Sequence, residues 1–216
     1  MSVVKPLPSG SAGNPVKRLI DRISRDRVDW KYRADTAGVI QMDELDVPSP
    51  NAKFAYCYRG TLGWVIRLFL RQLPLADKPF DFVDFGSGKG RALLVASEFP
   101  FVSVTGVEFC ESLHEVAVKN LARLPARQNQ AGRVKSVLGD ATEFALPQRD
   151  LVTYFYNPFG PPVLDAVAER LIAHRHSGFD VYVIYINPRH RDVFERSGKF
   201  ETVFVHEKGL IYRVNA

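Results

Sequence analysis

From Phe80 to the C-terminus, short apolar runs alternate with segments of helical periodicity. FDFVDF (80–85), FVSVTGVEF (101–109), RVKSVLGD (133–140), LVTYFYNP (151–158) and DVYVIYINP (180–188) read as five strands. GRALLVASEF (90–99) reads as a buried helix. A second helix places Leu113, Val116, Ala117, Leu121 and Leu124 inward, and Ser112 with Glu115 has the spacing of a capping box. PPVLDAVAERLIAHRH (161–176) reads as a third helix, with proline in its first turn and basic residues in its last. KFETVFVHEKGLIYRV (199–214) reads as two strands meeting at Glu-Lys-Gly. This order predicts an α/β fold: a mostly parallel sheet, helices on both faces, and a C-terminal antiparallel hairpin.

The chain before Phe80 has a different pattern. TLGWVIRLFLRQLP (61–74) repeats Leu62, Val65, Ile66, Phe69 and Leu73 at helical spacing, with Thr61 as its expected cap and Pro74 as its stop. Residues 27–53 look irregular apart from a candidate strand at Gly38–Met42, and DVPSPN (46–51) marks a loop. A short basic helix is expected over Pro15–Asp26, with Leu19, Ile20 and Ile23 on one side. Residues 1–15, rich in Pro, Gly and Ser, are expected to be a disordered tail. The expected division is therefore a tail (1–15), an N-terminal helical cap (16–79) and a main domain (80–216). The cap is too short for a large core of its own, so it and the domain should form one structural unit.

Composition narrows the class. With 216 residues, 46% hydrophobic and 25% charged, the chain can bury one full core. No run approaches the roughly 20 apolar residues of a membrane span, and the N-terminus lacks a signal-peptide core, so an intracellular, cytoplasmic protein is expected. Two cysteines, Cys57 and Cys110, make no disulfide framework, and the five histidines show no metal-ligand spacing; no metal is expected. Of the net charge of +5, residues 1–35 carry +4. A basic arm of this kind suits nucleic acid or an acidic partner, although VKRLIDRISRDRVDWKYRAD alternates signs as solvated helices do.

The chemistry gathers where the first strand ends, in VDFGSGKGR (83–91). In an open parallel sheet the loop after that strand is the usual ligand site. A phosphate-binding P-loop needs GxxxxGK[ST], a spacing not found here. A dinucleotide loop needs GxGxxG, but the third glycine comes one residue early and Arg91 stands in its place, where it would crowd the helix–strand contact. GxGxG with Asp84 two residues ahead of the first glycine suits a different ligand. Glu108 ends the second strand, where a carboxylate can accept hydrogen bonds from ribose hydroxyls of any nucleoside, NAD included, and Asp140 follows the third. Each acid also has a plain reading as strand-end turn chemistry.

These positions together resemble the class I S-adenosylmethionine-dependent methyltransferases, over residues 80–216. The loop looks most like that of lysine methyltransferases of the Dot1 type and of a group of bacterial methyltransferases of unassigned substrate. The resemblance implies a Rossmann-like, seven-stranded sheet and S-adenosylmethionine as cofactor. It implies that Asp84, Gly86, Ser87, Gly88 and Gly90 cradle the amino-acid part and ribose, that Glu108 holds the ribose, and that Asp140 and the Ala141 amide contact adenine. After the fourth strand, YFYNPFG (154–160) resembles the [DN]PP[YFW] motif of methyltransferases acting on planar amino groups, which makes Asn157 and Phe159 the candidate catalytic residues, with Asn157 also lining the cofactor pocket. The motif is incomplete, because Phe159 occupies the second proline position and Gly160 the aromatic one. The fifth strand ends in Asn-Pro as well (187–188), and Asn-Pro can simply cap a following helix.

Tyr56, Tyr58, Trp30 and Tyr32 are candidates for a lid or for packing between cap and sheet, and His190 and Arg191 for the acceptor side or the surface. The expected function is methyl transfer to a protein side-chain amine or a small molecule, with nucleic acid third. The alternatives are a non-catalytic binding module of the same fold and, more remotely, an NAD-dependent oxidoreductase.

Overall fold

A computed structural model describes residues 26–41, 50–54 and 56–216. The expected tail (1–15), nearly all of the Pro15–Asp26 helix and its basic arm, Met42 of the candidate strand and residues 46–49 of the loop lie outside the described residues. Nine strands are described: β1 (Val39–Ile40), β2 (Tyr58–Arg59), β3 (Phe80–Phe85), β4 (Val104–Glu108), β5 (Val134–Leu138), β6 (Asp150–Tyr156), β7 (Val181–Ile186), β8 (Phe200–His206) and β9 (Gly209–Val214). The α-helices are α1 (Arg27–Tyr32), α2 (Gly63–Leu70), α3 (Arg91–Ala96), α4 (Glu111–Leu121), α5 (Pro161–His176) and α6 (Arg191–Glu195). Short 3-10 turns cover Pro50–Phe54 and Gln130–Gly132.

β3 to β9 form one seven-stranded sheet in the order β5-β4-β3-β6-β7-β9-β8, and β1 pairs with β2 apart from it. All of its pairings are parallel except those of β9 with β7 and β8. The chain thus has the predicted fold: a Rossmann-like, mostly parallel sheet with a C-terminal antiparallel hairpin. The strand order reverses between β3 and β6, which opens a crevice beyond their carboxyl ends.

Apolar side chains fill both faces of the sheet. On one face Phe82, Val104, Val152 and Ile184 pack with Ile66, Phe69 and Leu70 of α2 and Leu93 and Leu94 of α3. Val28 and Tyr32 of α1 join that cluster, so the segment before Phe80 completes one wall of the core. On the other face Val83, Phe85, Phe155 and Tyr185 pack with Val163, Leu164, Val167 and Leu171 of α5 and Phe194 of α6. β3 is buried at every position, Asp81 and Asp84 included, because both faces of this central strand are covered.

Local details depart from the sequence pattern. Thr61 does not cap α2; Leu62 is its N-cap, and Thr61 Oγ1 instead accepts the Tyr154 hydroxyl at 2.9 Å. Ser112 and Glu115 form no capping box: Cys110 is the N-cap of α4, its amide taken by the Glu108 carboxylate, which starts the helix before Ser112. Residues 27–32 form a helix, because Asp26 and Asp29 make a reciprocal capping box across its first turn.

Candidate functional site

The crevice between β3 and β6 brings the loop motifs together. Asp84 lies next to last in β3, Glu108 ends β4, and Asp140 follows β5 by two residues. One cleft is lined by Asp84, Gly86, Ser87, Gly88, Glu108 and Asn157. A recess beside it is lined by Asp140, Ala141, Asn51 and Val163. Gly86, Phe109 and Phe159 face both spaces.

The glycine loop is held by its neighbour strand: the Gly86 and Ser87 amides both donate to the Val107 carbonyl, at 2.9 and 3.1 Å. Gly86 has φ +77°, and a Cβ there would stand 2.6 Å from Pro158 Cβ, so the loops after β3 and β6 touch through it. Gly88 has φ +52°, and a Cβ there would stand 2.3 Å from the Tyr58 ring. Both positions combine a left-handed backbone with a close approach, which only glycine allows. Gly90 is the N-cap of α3 and packs against Ala117. The Ser87 hydroxyl is buried and has no hydrogen-bond partner among the described residues. Gly106 of β4 makes room for Ser87 and Leu93, since a Cβ there would stand 2.6 Å from each; the sequence carries no signal for that role.

The cleft is acidic. Glu108 accepts the Gly88 amide at 2.6 Å and the Cys110 amide at 2.9 Å. Burial pushes its carboxyl up to about 7 against the downward pull of these amides. Burial first, and then the charge of Glu108, raise Asp84 well above the usual carboxylate range. Both are buried, at 3% exposure. In the recess, Asp140 accepts the Asn51 side-chain amide at 2.9 Å and the Thr142 amide at 2.8 Å. Ala141 is buried at the recess wall.

Arg91 does not crowd the strand. Its guanidinium points into the N-terminal segment, pairing with Asp29 at 3.0 Å and donating to the carbonyls of Thr36 (2.8 Å), Gly60 and Thr61 (both 3.3 Å). This contact fastens Asp29, Thr36 and residues 60–61 to the helix that follows the glycine loop. Asn120 of α4 adds to it by donating to the Asp35 and Lys89 carbonyls.

Asn157 is buried at the cleft with φ +43°, and its Oδ1 accepts the Tyr185 hydroxyl at 3.3 Å. It is not a helix cap: α5 begins after Gly160, its N-cap. Asn187 has the same left-handed backbone, and α6 is capped by His190 instead. Phe159 is buried against the α5 cluster. Of the candidate lid aromatics, Tyr56 and Tyr58 line the cleft, Trp30 is 72% exposed, and Tyr32 packs in the core with its hydroxyl on Glu98. Tyr56 reaches His190 Nε2 with its hydroxyl at 2.8 Å, and its amide donates to the Pro158 carbonyl at 3.1 Å. Arg191 pairs with Glu195 at the surface. Among the described residues no group of His, Cys, Asp and Glu could hold a metal ion, and no helix is long and apolar enough to cross a membrane.

No protein-family profile and no curated protein matches the chain. Solved structures do. A glycopeptide N-methyltransferase in complex with S-adenosylmethionine is 14% identical, with a TM-score of 0.55 over 71% of this chain and 87% of that one. A candidate RNA methyltransferase of Pyrococcus horikoshii is 22% identical, with a TM-score of 0.51 over 81% and 94%. A candidate S-adenosylmethionine-dependent methyltransferase of Methanococcus maripaludis is 17% identical, with a TM-score of 0.50 over 71% and 84%. At these identities the likeness is one of fold. The chain has the fold of the class I S-adenosylmethionine-dependent methyltransferases.

Proposed function

We propose that the protein is an S-adenosylmethionine-dependent methyltransferase, and that Asp84, Gly86, Ser87, Gly88, Gly90, Glu108, Asp140, Ala141 and Asn157 hold the cofactor. One observation carries the choice of ligand: two buried carboxyls, Asp84 and Glu108, face one cleft, burial makes both costly to ionise, and the charge of Glu108 adds to the cost at Asp84. A pyrophosphate beside them would oppose their ionisation further, so a dinucleotide is disfavoured. A nucleoside that carries its charge as ammonium and sulfonium relieves them. The donor set supports the same reading: a buried Ser87 hydroxyl without a partner, and backbone brought close by glycines whose Cβ atoms would fill the cradle.

When bound, the cofactor supplies an electrophilic methyl group, and the chain's own work is orientation and exclusion of water. Glu108 stands ready to accept ribose hydroxyls, and Asp140 with the Ala141 amide faces the adenine recess. Asn157, on the cleft wall next to Tyr156, is the residue proposed to orient the acceptor, while Phe159 lines both the cleft and the adenine recess and so packs on the cofactor side. Tyr58 is the movable wall. Its ring lies on Gly88 and its hydroxyl donates to the Thr36 carbonyl at 2.8 Å, leaving a cavity of about 70 Å³ that a nucleoside amino acid must widen. The acceptor classes are a protein side-chain amine or a small molecule, then nucleic acid through the basic N-terminal arm. The reading places the protein in the cytoplasm. Calorimetric titration tests it: S-adenosylmethionine and S-adenosylhomocysteine bind at micromolar concentration, NAD does not, and Glu108→Ala abolishes the binding. Absence of binding by the folded wild type would favour the non-catalytic module.

A further inference from the structure

A second cavity, of about 460 Å³, lies beside the cleft. Its size falls within the range of roughly 300–1,000 Å³ common for small-molecule sites. Its apolar walls are Val39 of β1, Leu62 and Val65 at the start of α2, and Ile186 at the carboxyl end of β7. Arg59 of β2 and Lys208 of the β8–β9 turn supply cations, and none of the described lining residues is acidic. Arg59 is exposed, and Lys208 has Glu207 at 3.1 Å. The cavity shares a wall with the cleft: Arg59, Gly60, Thr61, Arg91 and Tyr156 line both.

We infer that this cavity is the acceptor's binding site and that it takes a small amphipathic organic anion, its anionic head at Arg59 beside Tyr156 and its apolar body against Val39, Val65 and Ile186. The inference rests on the reading of the cleft as the cofactor site. Charge decides between the acceptor classes. A lysine side chain or a basic peptide would bring its ammonium group to Arg59 and Lys208 with no carboxylate among the described lining residues to receive it. An acid finds both charge and apolar area. Among the described residues the shared wall also has no His, Asp or Glu side chain, which suits an acceptor that arrives already ionised.

The test uses the full chain and three ten-carbon probes: decanoate, decanol and decyltrimethylammonium, titrated calorimetrically with and without saturating S-adenosylhomocysteine. Decanoate is expected to bind one to one, at least tenfold tighter than either other probe. Arg59→Glu should weaken it at least tenfold, and Lys208→Glu should weaken it less, because Glu207 already offsets that charge. Both substitutions lie at the surface. S-Adenosylhomocysteine should change decanoate affinity severalfold, because the two sites share a wall. Glu108→Ala should lose S-adenosylhomocysteine and retain decanoate. Equal affinity for the three probes, preference for the cation, indifference to Arg59→Glu, or absence of coupling would each overturn the inference. Failure of S-adenosylhomocysteine to bind the wild type would instead strike the cofactor reading, and the decanoate titration separates the two failures.

Discussion

At the residue scale, the acids of the cleft set a conflict between stability and binding. Glu108 has its carboxyl raised from an ordinary 4.5 to about 7, chiefly by burial. A carboxyl whose folded value lies above its unfolded one keeps a proton in the folded state that the unfolded chain has already lost. Its contribution to stability therefore falls as pH rises from about 4.5 to about 7 and is level above that. The cost is about 3 kcal/mol by linkage. The stability of wild type minus that of Glu108→Gln should thus drop by about that amount between pH 4.5 and pH 8, measured by urea unfolding of the ligand-free proteins. A difference that does not change with pH would contradict it. Comparing the two proteins at each pH removes the constant cost of offering a side-chain amide to the Gly88 and Cys110 amides. Because the ionised form of Glu108 is the one that suits a cationic ligand, cofactor affinity should strengthen over the same interval.

At the element scale, the N-terminal segment is part of the site's frame. Arg91, directly after the glycine loop, is 3% exposed, and its guanidinium satisfies Asp29 together with carbonyls on two stretches of the segment. Removing one partner of a buried pair leaves the other uncompensated, at a cost of about 3–5 kcal/mol. Arg91→Ala should lower stability by that much in chemical denaturation. It should also loosen Tyr58, which donates to the same Thr36 carbonyl. A loss below about 1 kcal/mol would show that the pair does not hold the frame. The residue expected from the sequence to crowd the helix–strand contact is thus the residue that fastens the cap. Spacing alone could not reveal this, because Asp29 lies 62 positions away.

At the scale of the whole molecule, the sheet depends on elements before its first strand. Ile66, Phe69 and Leu70 of α2 and Val28 and Tyr32 of α1 lie in the same core as Phe82 and Ile184. A fragment of residues 80–216 would expose that apolar face and leave Arg91 without Asp29. It should melt without a cooperative transition in circular dichroism, whereas the full chain melts sharply. From Phe80 onward the sequence by itself determined the order of the strands and of three of the four helices, because each strand is a short, largely apolar run and each of those helices has its own period; the five residues of α6 (Arg191–Glu195) are too few to show one. It also determined which loop holds the glycines and which strand ends hold Asp84, Glu108 and Asp140. Tertiary structure decided what no local period encodes. It closed Tyr58 over Gly88, took Thr61 from helix capping to the Tyr154 hydroxyl, joined Tyr56 to His190 across 134 positions, and set an apolar cavity against the cleft. These contacts depend on distant segments meeting at the carboxyl edge of the sheet, and only the folded chain brings them there.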